Sequence, residues 1–308
     1  MRSLLIFILV GAGAQLVDGA LGMAFGVTAT TLLVLSGVGA AQASAAVHLA
    51  EVGTTFASGL SHWKFKNIDW GIVAKLGAPG AVGAFVGATV LSSLATEHAA
   101  PLMAAILVGI GGYVLLRFSL RTPLTFGPRG TSHSMKFLAP LGLFGGFIDA
   151  SGGGGWGPVT TSTLLSHGKM APRTVIGSVS ASEFLVSVSA SLGFLIGLRQ
   201  ELLQNWPVVV GLMAGGVITA PFAAWLVSRV SPALLGTAVG GVIVLTNSQK
   251  LVHFFDIQWP WSTAIYSLIV VVWVSLVIYA WRFTCAQRFA LETAEVAPIG
   301  VEPEPATR

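Results

Sequence analysis

The chain has 308 residues, 54% of them hydrophobic and only 9% charged, with a mean hydropathy of +0.82. A soluble domain carries about a quarter charged residues, so this composition excludes an ordinary water-soluble enzyme, and the net charge of +4 comes without the basic run that a nucleic-acid binder would need. The one cysteine, Cys285, excludes an intrachain disulfide and a multi-cysteine metal cluster.

Apolar segments follow one another at 3–36, 40–62, 71–93, 99–118, 135–166, 171–197, 206–228, 232–250 and 262–281. Runs of this length predict an all-α polytopic integral membrane protein. The first run opens with Arg2 and an apolar core, as a signal peptide does, but an internal repeat makes it part of the fold. It contains "VDGALGMAFGVTATTLL", with Asp18, Gly22, Gly26, Thr28 and Thr30. The second carries His48 and Glu51 near its centre, and the third carries Gly83 and Gly87 one turn apart, the spacing for close helix packing. A polar, turn-rich linker, 119–134, precedes the fifth run, where Asp149 is followed by Gly152, Gly153, Gly154, Gly155, Trp156, Pro158, Thr160 and Thr161. Glu183 sits near the centre of the sixth run, and Gly211 and Gly215 repeat the packing pair in the seventh. The last run belongs to neither half, and the acidic, Pro-rich tail reads as disordered.

Shifting the sequence by 131 residues superimposes the halves: Asp18 falls on Asp149, Gly22 on Gly153, Phe25 on Trp156, Gly26 on Gly157 and Pro101 on Pro232, and one inserted residue brings Glu51 onto Glu183. Aligned Asp, Glu and Pro are not a product of shared oiliness; the chain is a tandem duplication. The expected units are repeat 1 at 1–118, a cytoplasmic linker at 119–134, repeat 2 at 135–254, an extra C-terminal span at 255–288 and the disordered tail at 289–308.

Segments 3–36 and 135–166 exceed the roughly twenty residues of one crossing. If each crosses once, Lys and Arg divide ten to six between the two sides; if each turns back at its Asp/Gly centre, they divide thirteen to three. The positive-inside rule selects the hairpins. That places the N-terminus outside, the C-terminus in the cytoplasm and the two repeats in inverted orientation, three spans plus a Gly-rich hairpin each.

Four consecutive glycines, at about 1 kcal/mol each relative to alanine, break a helix. Backbone broken at membrane depth must line a cavity or pack inside protein. Pro158 suits the first turn of a new half-helix, whose N-terminal N–H groups favour an anion, with Thr160 and Thr161 as hydroxyl donors. Gly22 and Thr28 offer the equivalent in repeat 1. Asp18, Asp149, Glu51 and Glu183 lie at membrane depth, where an ionised carboxylate costs at least ~3 kcal/mol, so each is either a proton-coupling group or a structural, hydrogen-bonded one. His48, three residues before Glu51, shares its helix face and is placed to pair with it.

The doubled Asp/Gly hairpin, with "GFIDASGGGGWGPVTTSTLL" opening the second half, resembles the sulfite exporter TauE/SafE family of bacterial membrane transporters. The likeness covers residues 3 to 255; the first hairpin has fewer glycines and Val27 in place of the proline. The resemblance implies transport of sulfite or a small organosulfonate-type anion across the cytoplasmic membrane. The residues alone reach a carrier for a small oxyanion, with the bilayer and a coupling proton as partners, no nucleic acid, no cofactor, no metal, and a homo-oligomer left open. A cation carrier or channel using the intramembrane Asp and Glu residues is the alternative. An intramembrane enzyme is disfavoured, because there is no HExxH and no nucleophile–base spacing.

Overall fold

The structure is a computed structural model that describes residues 2–21, 23–120, 134–166, 170, 172–204, 206–227 and 232–296. Among these residues the chain forms helices and turns and no strand, which makes it the all-α protein expected. The first long segment divides into α1 (Arg2–Leu21) and α2 (Phe25–Leu35), and Gly13 of α1 faces Leu32 of α2, so the chain doubles back. The eleven residues of α2 rise about 16 Å, half the ~30 Å of a hydrocarbon core, so this helix alone is too short for a full crossing. The second hairpin repeats the plan. Its long arm is α7 (Met135–Gly152), and its short arm begins as a π turn, Gly157–Thr161, that continues into α8 (Ser162–Ser166), with Gly145 facing Thr160 across the fold.

Between and after the hairpins run α3 (Ala40–Lys64), α4 (Trp70–Ile72) continuing through a π turn into α5 (Ala78–Ser93), α6 (Thr96–Leu120), α9 (Pro172–Gly197), α10 (Arg199–Gln204), α11 (Trp206–Val227), α12 (Pro232–Phe254) and α13 (Trp261–Val296). Asp69 starts α4 by accepting from the N–H groups of Gly71 and Ile72 at 2.9 and 3.2 Å. Among the described residues, four helices are long and apolar enough to cross a membrane: Trp70–Ser93, His98–Leu120, Thr174–Gly197 and Trp261–Ala286. The helix α13 extends to Val296, eight residues into the stretch expected to be disordered; most of the 119–134 linker lies outside the described residues. Trp63, Trp70, Trp206, Trp259 and Trp261 are all exposed, as an interfacial belt requires.

Each hairpin packs on the other repeat. The arm α7 lies along α5, and α1 lies along α11; the 131-residue shift converts one pair into the other. The pairs α3–α9 and α6–α12 convert into themselves. Lipid gives no hydrophobic drive between helices, so close backbone approach does the joining. A Cβ at Gly87 would lie 2.6 Å from the Phe147 carbonyl oxygen, and one at Gly211 would lie 2.6 Å from the Phe7 Cβ. Gly83 and Gly215 are closed in the same way by the backbones of Leu143 and Ile8. The glycine pairs of the third spans are therefore packing devices, as their spacing predicts. The extra helix α13 lies outside this arrangement, against α12 and α6, with most of its apolar surface exposed.

Candidate functional site

The two hairpin tips meet. At the second tip Gly153 has φ +72° and Gly154 φ +139°, conformations that glycine adopts at no steric cost. Gly154 also rests directly on the backbone of Gly26 and Val27, and a Cβ on Gly26 would lie 2.8 Å from Gly154 Cα and 2.9 Å from Glu51 Oε1. The break thus serves two purposes: it turns the chain, and it lets backbone touch backbone between the repeats.

An aspartate ties each tip. Asp18 Oδ1 accepts from the N–H groups of Ala24 and Phe25 at 2.9 and 3.1 Å. Asp149 Oδ1 accepts from the Trp156 N–H at 2.8 Å, and its backbone carbonyl accepts from Gly154 N–H at 2.8 Å. Phe25 and Trp156 are repeat partners, each seven residues after its aspartate. Both carboxylates therefore already take donors from the short-arm ends that the sequence reading offers to an anion. His48 does not turn to Glu51; its Nε2 lies 3.1 Å from Asp149 Oδ2, while Ser44 Oγ donates to the Ala150 carbonyl at 2.7 Å and Thr30 Oγ1 donates to the Gly153 carbonyl. These contacts bind the second tip to α2 and α3 of the first repeat.

Below the tips lies a cavity of about 250 Å³. Gly26, Val27, Gly154, Gly155, Gly157, Pro158 and Thr161 line it from the tips, with Asp18 and Asp149 beside them and Glu51 and Glu183 facing in from α3 and α9. Among the described residues that line it, none is Lys or Arg. Glu51 is buried at 3% exposure, and the lining continues along α3 through Thr54, Thr55 and Ser58 to the half-buried His62. Opposite, α9 contributes Ile176, Val179 and Ser180, and Ser58 and Ser180 hydroxyls meet at 2.8 Å.

Other expected site residues face elsewhere. Gly152 abuts Ile106 of α6, Gly153 meets Thr30, and the Trp156 ring is fully buried against Gly80, its Nε1–H donating to the Val179 carbonyl at 3.2 Å. Thr160 Oγ1 donates to the Trp156 carbonyl at 2.6 Å, and the buried Thr28 hydroxyl has no hydrogen-bond partner among the described residues and does not line the cavity. Gly22 lies outside the described residues. The residues that sequence reasoning missed, Thr54, Thr55, Ser58 and His62, stand three, four, seven and eleven positions after Glu51. That is one face of a helix, so their signal was present.

The family model for the sulfite exporter TauE/SafE matches residues 7–249. The chain belongs to this family. It is also 48% identical over 283 residues to the "Probable membrane transporter protein YtnM" of Bacillus subtilis (strain 168), an alignment covering 91% of this chain and 93% of that protein. No solved structure matches. The protein is thus a TauE/SafE-family membrane transporter rather than an enzyme, and the family match covers both hairpins and the cavity while leaving α13 outside it.

Proposed function

We propose that the protein is a secondary carrier for a small oxyanion, sulfite or a small organosulfonate-type anion, moving it across the bacterial cytoplasmic membrane by alternating access with proton coupling. The observation that carries this reading is the cavity where the tips converge, sized for a small solute and lined by backbone, hydroxyls and two inward-facing glutamates but no Lys or Arg. The family match points to sulfite.

The electrostatics favour a coupling proton. Like charges about 5 Å apart in an environment of effective dielectric near 20 repel by roughly 3 kcal/mol. An anion facing ionised Glu51 and Glu183 would lose roughly 6 kcal/mol on that basis, about four decades of affinity. Proton uptake on Glu183, the less buried of the two, removes half of that penalty and ties anion entry to the pH gradient.

The lining of the cavity lies mostly to one side of the tips. It follows the C-terminal half of α3 and the N-terminal half of α9, while the tip contacts of Ser44, His48 and Thr30 close the far end. With hairpins, inverted repeats and the positive-inside bias, the open end lies on the side of Lys64 and Arg173, the cytoplasm; the N-terminus lies outside and the C-terminus inside. On this reading the cavity faces inward.

In proteoliposomes, labelled sulfite and a small labelled sulfonate should show saturable flux above protein-free vesicles, accelerated several-fold by a pH gradient. Glu183→Gln should retain flux and lose the gradient effect. Flux of both anions equal to that of protein-free vesicles would refute the reading. Saturable cation uptake, abolished in Glu183→Gln, would replace it with the alternative that the acid-rich lining supports, a cation carrier or channel.

A further inference from the structure

We infer that His48, Glu51 and Asp149 form a binding site for one divalent first-row transition-metal cation at the closed end of the cavity. Each residue offers a ligand atom, and the three atoms lie within 4.8 Å of one another. The donors are deeply buried: His48 is 0%, Asp149 1% and Glu51 3% exposed.

The hydrogen bonds around the cluster orient its donor atoms. His48 Nδ1 lies 2.8 Å from the Ser44 carbonyl oxygen, which can only accept, so Nδ1 carries the proton. Nε2 then faces Asp149 Oδ2 at 3.1 Å. At that separation the two atoms can share a proton, or a cation can stand between them. Ligands held 2.0–2.2 Å from one tetrahedral cation stand about 3 Å apart, so the His48–Asp149 spacing suits a shared metal ion. The outer contacts fit as well. A metal-ligating imidazole ordinarily donates its other N–H to a carbonyl or carboxylate, and a ligating carboxylate is itself hydrogen-bonded; Ser44 and the Trp156 N–H supply these two contacts.

Glu51 provides the independent observation. Its Oε2 is buried without a hydrogen-bond partner among the described residues, and the Ser187 hydroxyl, likewise buried and unpartnered, is a neighbour of the carboxylate. An unsatisfied buried carboxylate oxygen is costly, and a cation held by Nε2 and Oδ2 would give it a ligand. One imidazole and two carboxylates select a transition-metal dication over Na⁺, Mg²⁺ or Ca²⁺, which prefer all-oxygen shells. The cation would join α3 of repeat 1 to α7 of repeat 2 and place positive charge beside Gly26 and Gly154, in a cavity that otherwise lacks it. That role rests on the carrier reading; the site itself does not.

Tag-free, chelator-stripped full-length protein in detergent, titrated with Co²⁺, tests the site. The expected result is a visible ligand-field spectrum that saturates at one equivalent, with affinity at least about tenfold weaker in Glu51→Gln and in His48→Gln. Wild-type protein that develops no saturable spectrum would overturn the inference and leave a proton shared between His48 and Asp149. Binding unchanged in both variants would overturn it too. Anion flux measured on the same samples separates the two readings: absent flux with intact Co²⁺ binding removes the carrier role and keeps the site.

Discussion

Gly154→Ala is expected to lower flux by about a hundredfold and to reduce the thermal unfolding midpoint in detergent. Its φ of +139° lies where a side chain costs about 1–3 kcal/mol. The added Cβ would also fall on the backbone of Gly26 and Val27, with Gly26 Cα at 2.7 Å. Neither neighbour is a flexible side chain, so the two tips must part. About 3 kcal/mol already corresponds to roughly a hundredfold. The control is Gly109→Ala in α6, where nothing lies within 4 Å of the added carbon; removal of a helix-interior glycine there should leave flux unchanged and stability equal or up to about 1 kcal/mol higher. Wild-type flux in Gly154→Ala would mean that the contact between the tips is not part of the transport machinery.

Asp149→Ala should be the most damaging of the carboxylate substitutions. It strands the buried Trp156 N–H and removes the partner of His48; breaking a buried pair from one side costs about 3–5 kcal/mol. Asp18→Ala also strands two N–H groups, those of Ala24 and Phe25, but Asp18 is only half-buried and has no histidine partner among its hydrogen bonds, so about 1–3 kcal/mol is expected. Asp149→Asn keeps an oxygen for the Trp156 N–H and should fall between them. Unfolding midpoints of the three variants give the order, and an Asp149→Ala protein as stable as Asp18→Ala would refute the assigned roles.

Much of this architecture is legible in the sequence because lipid leaves few options. Backbone polar groups must be satisfied within helices, so apolar runs mark the helices. Asp149 and the glycines after it stand out because they contradict the helix around them. The repeat explains why Gly83/Gly87 and Gly211/Gly215 pack against hairpins of the opposite half. What the sequence hides is direction. His48 stands one turn from Glu51, yet its ring points to Asp149, 101 positions away, and no periodicity reveals that choice. The glycine run reads as one site, but Gly152 and Gly153 face neighbouring helices while Gly154 and Gly155 line the cavity, because the tip turns between them. The repeat itself misleads at one point. Copying Thr55 onto the second half gives Ser187, which does not line the cavity; in α9 the lining precedes Glu183 instead of following it. The lining of the cavity thus does not share the symmetry of the repeat.

The most direct test of the cavity as the substrate site uses Ser180→Cys in a Cys285→Ser background, since Cys285 is the one native thiol and is exposed. Ser180 lines the cavity and is half-buried. In inside-out vesicles, which present the cytoplasmic face, a membrane-impermeant alkylating reagent should modify this cysteine, and a saturating small sulfonate should slow the modification several-fold. Modification from the opposite face alone, or at a rate indifferent to the sulfonate, would contradict a cytoplasm-facing anion site between the hairpins.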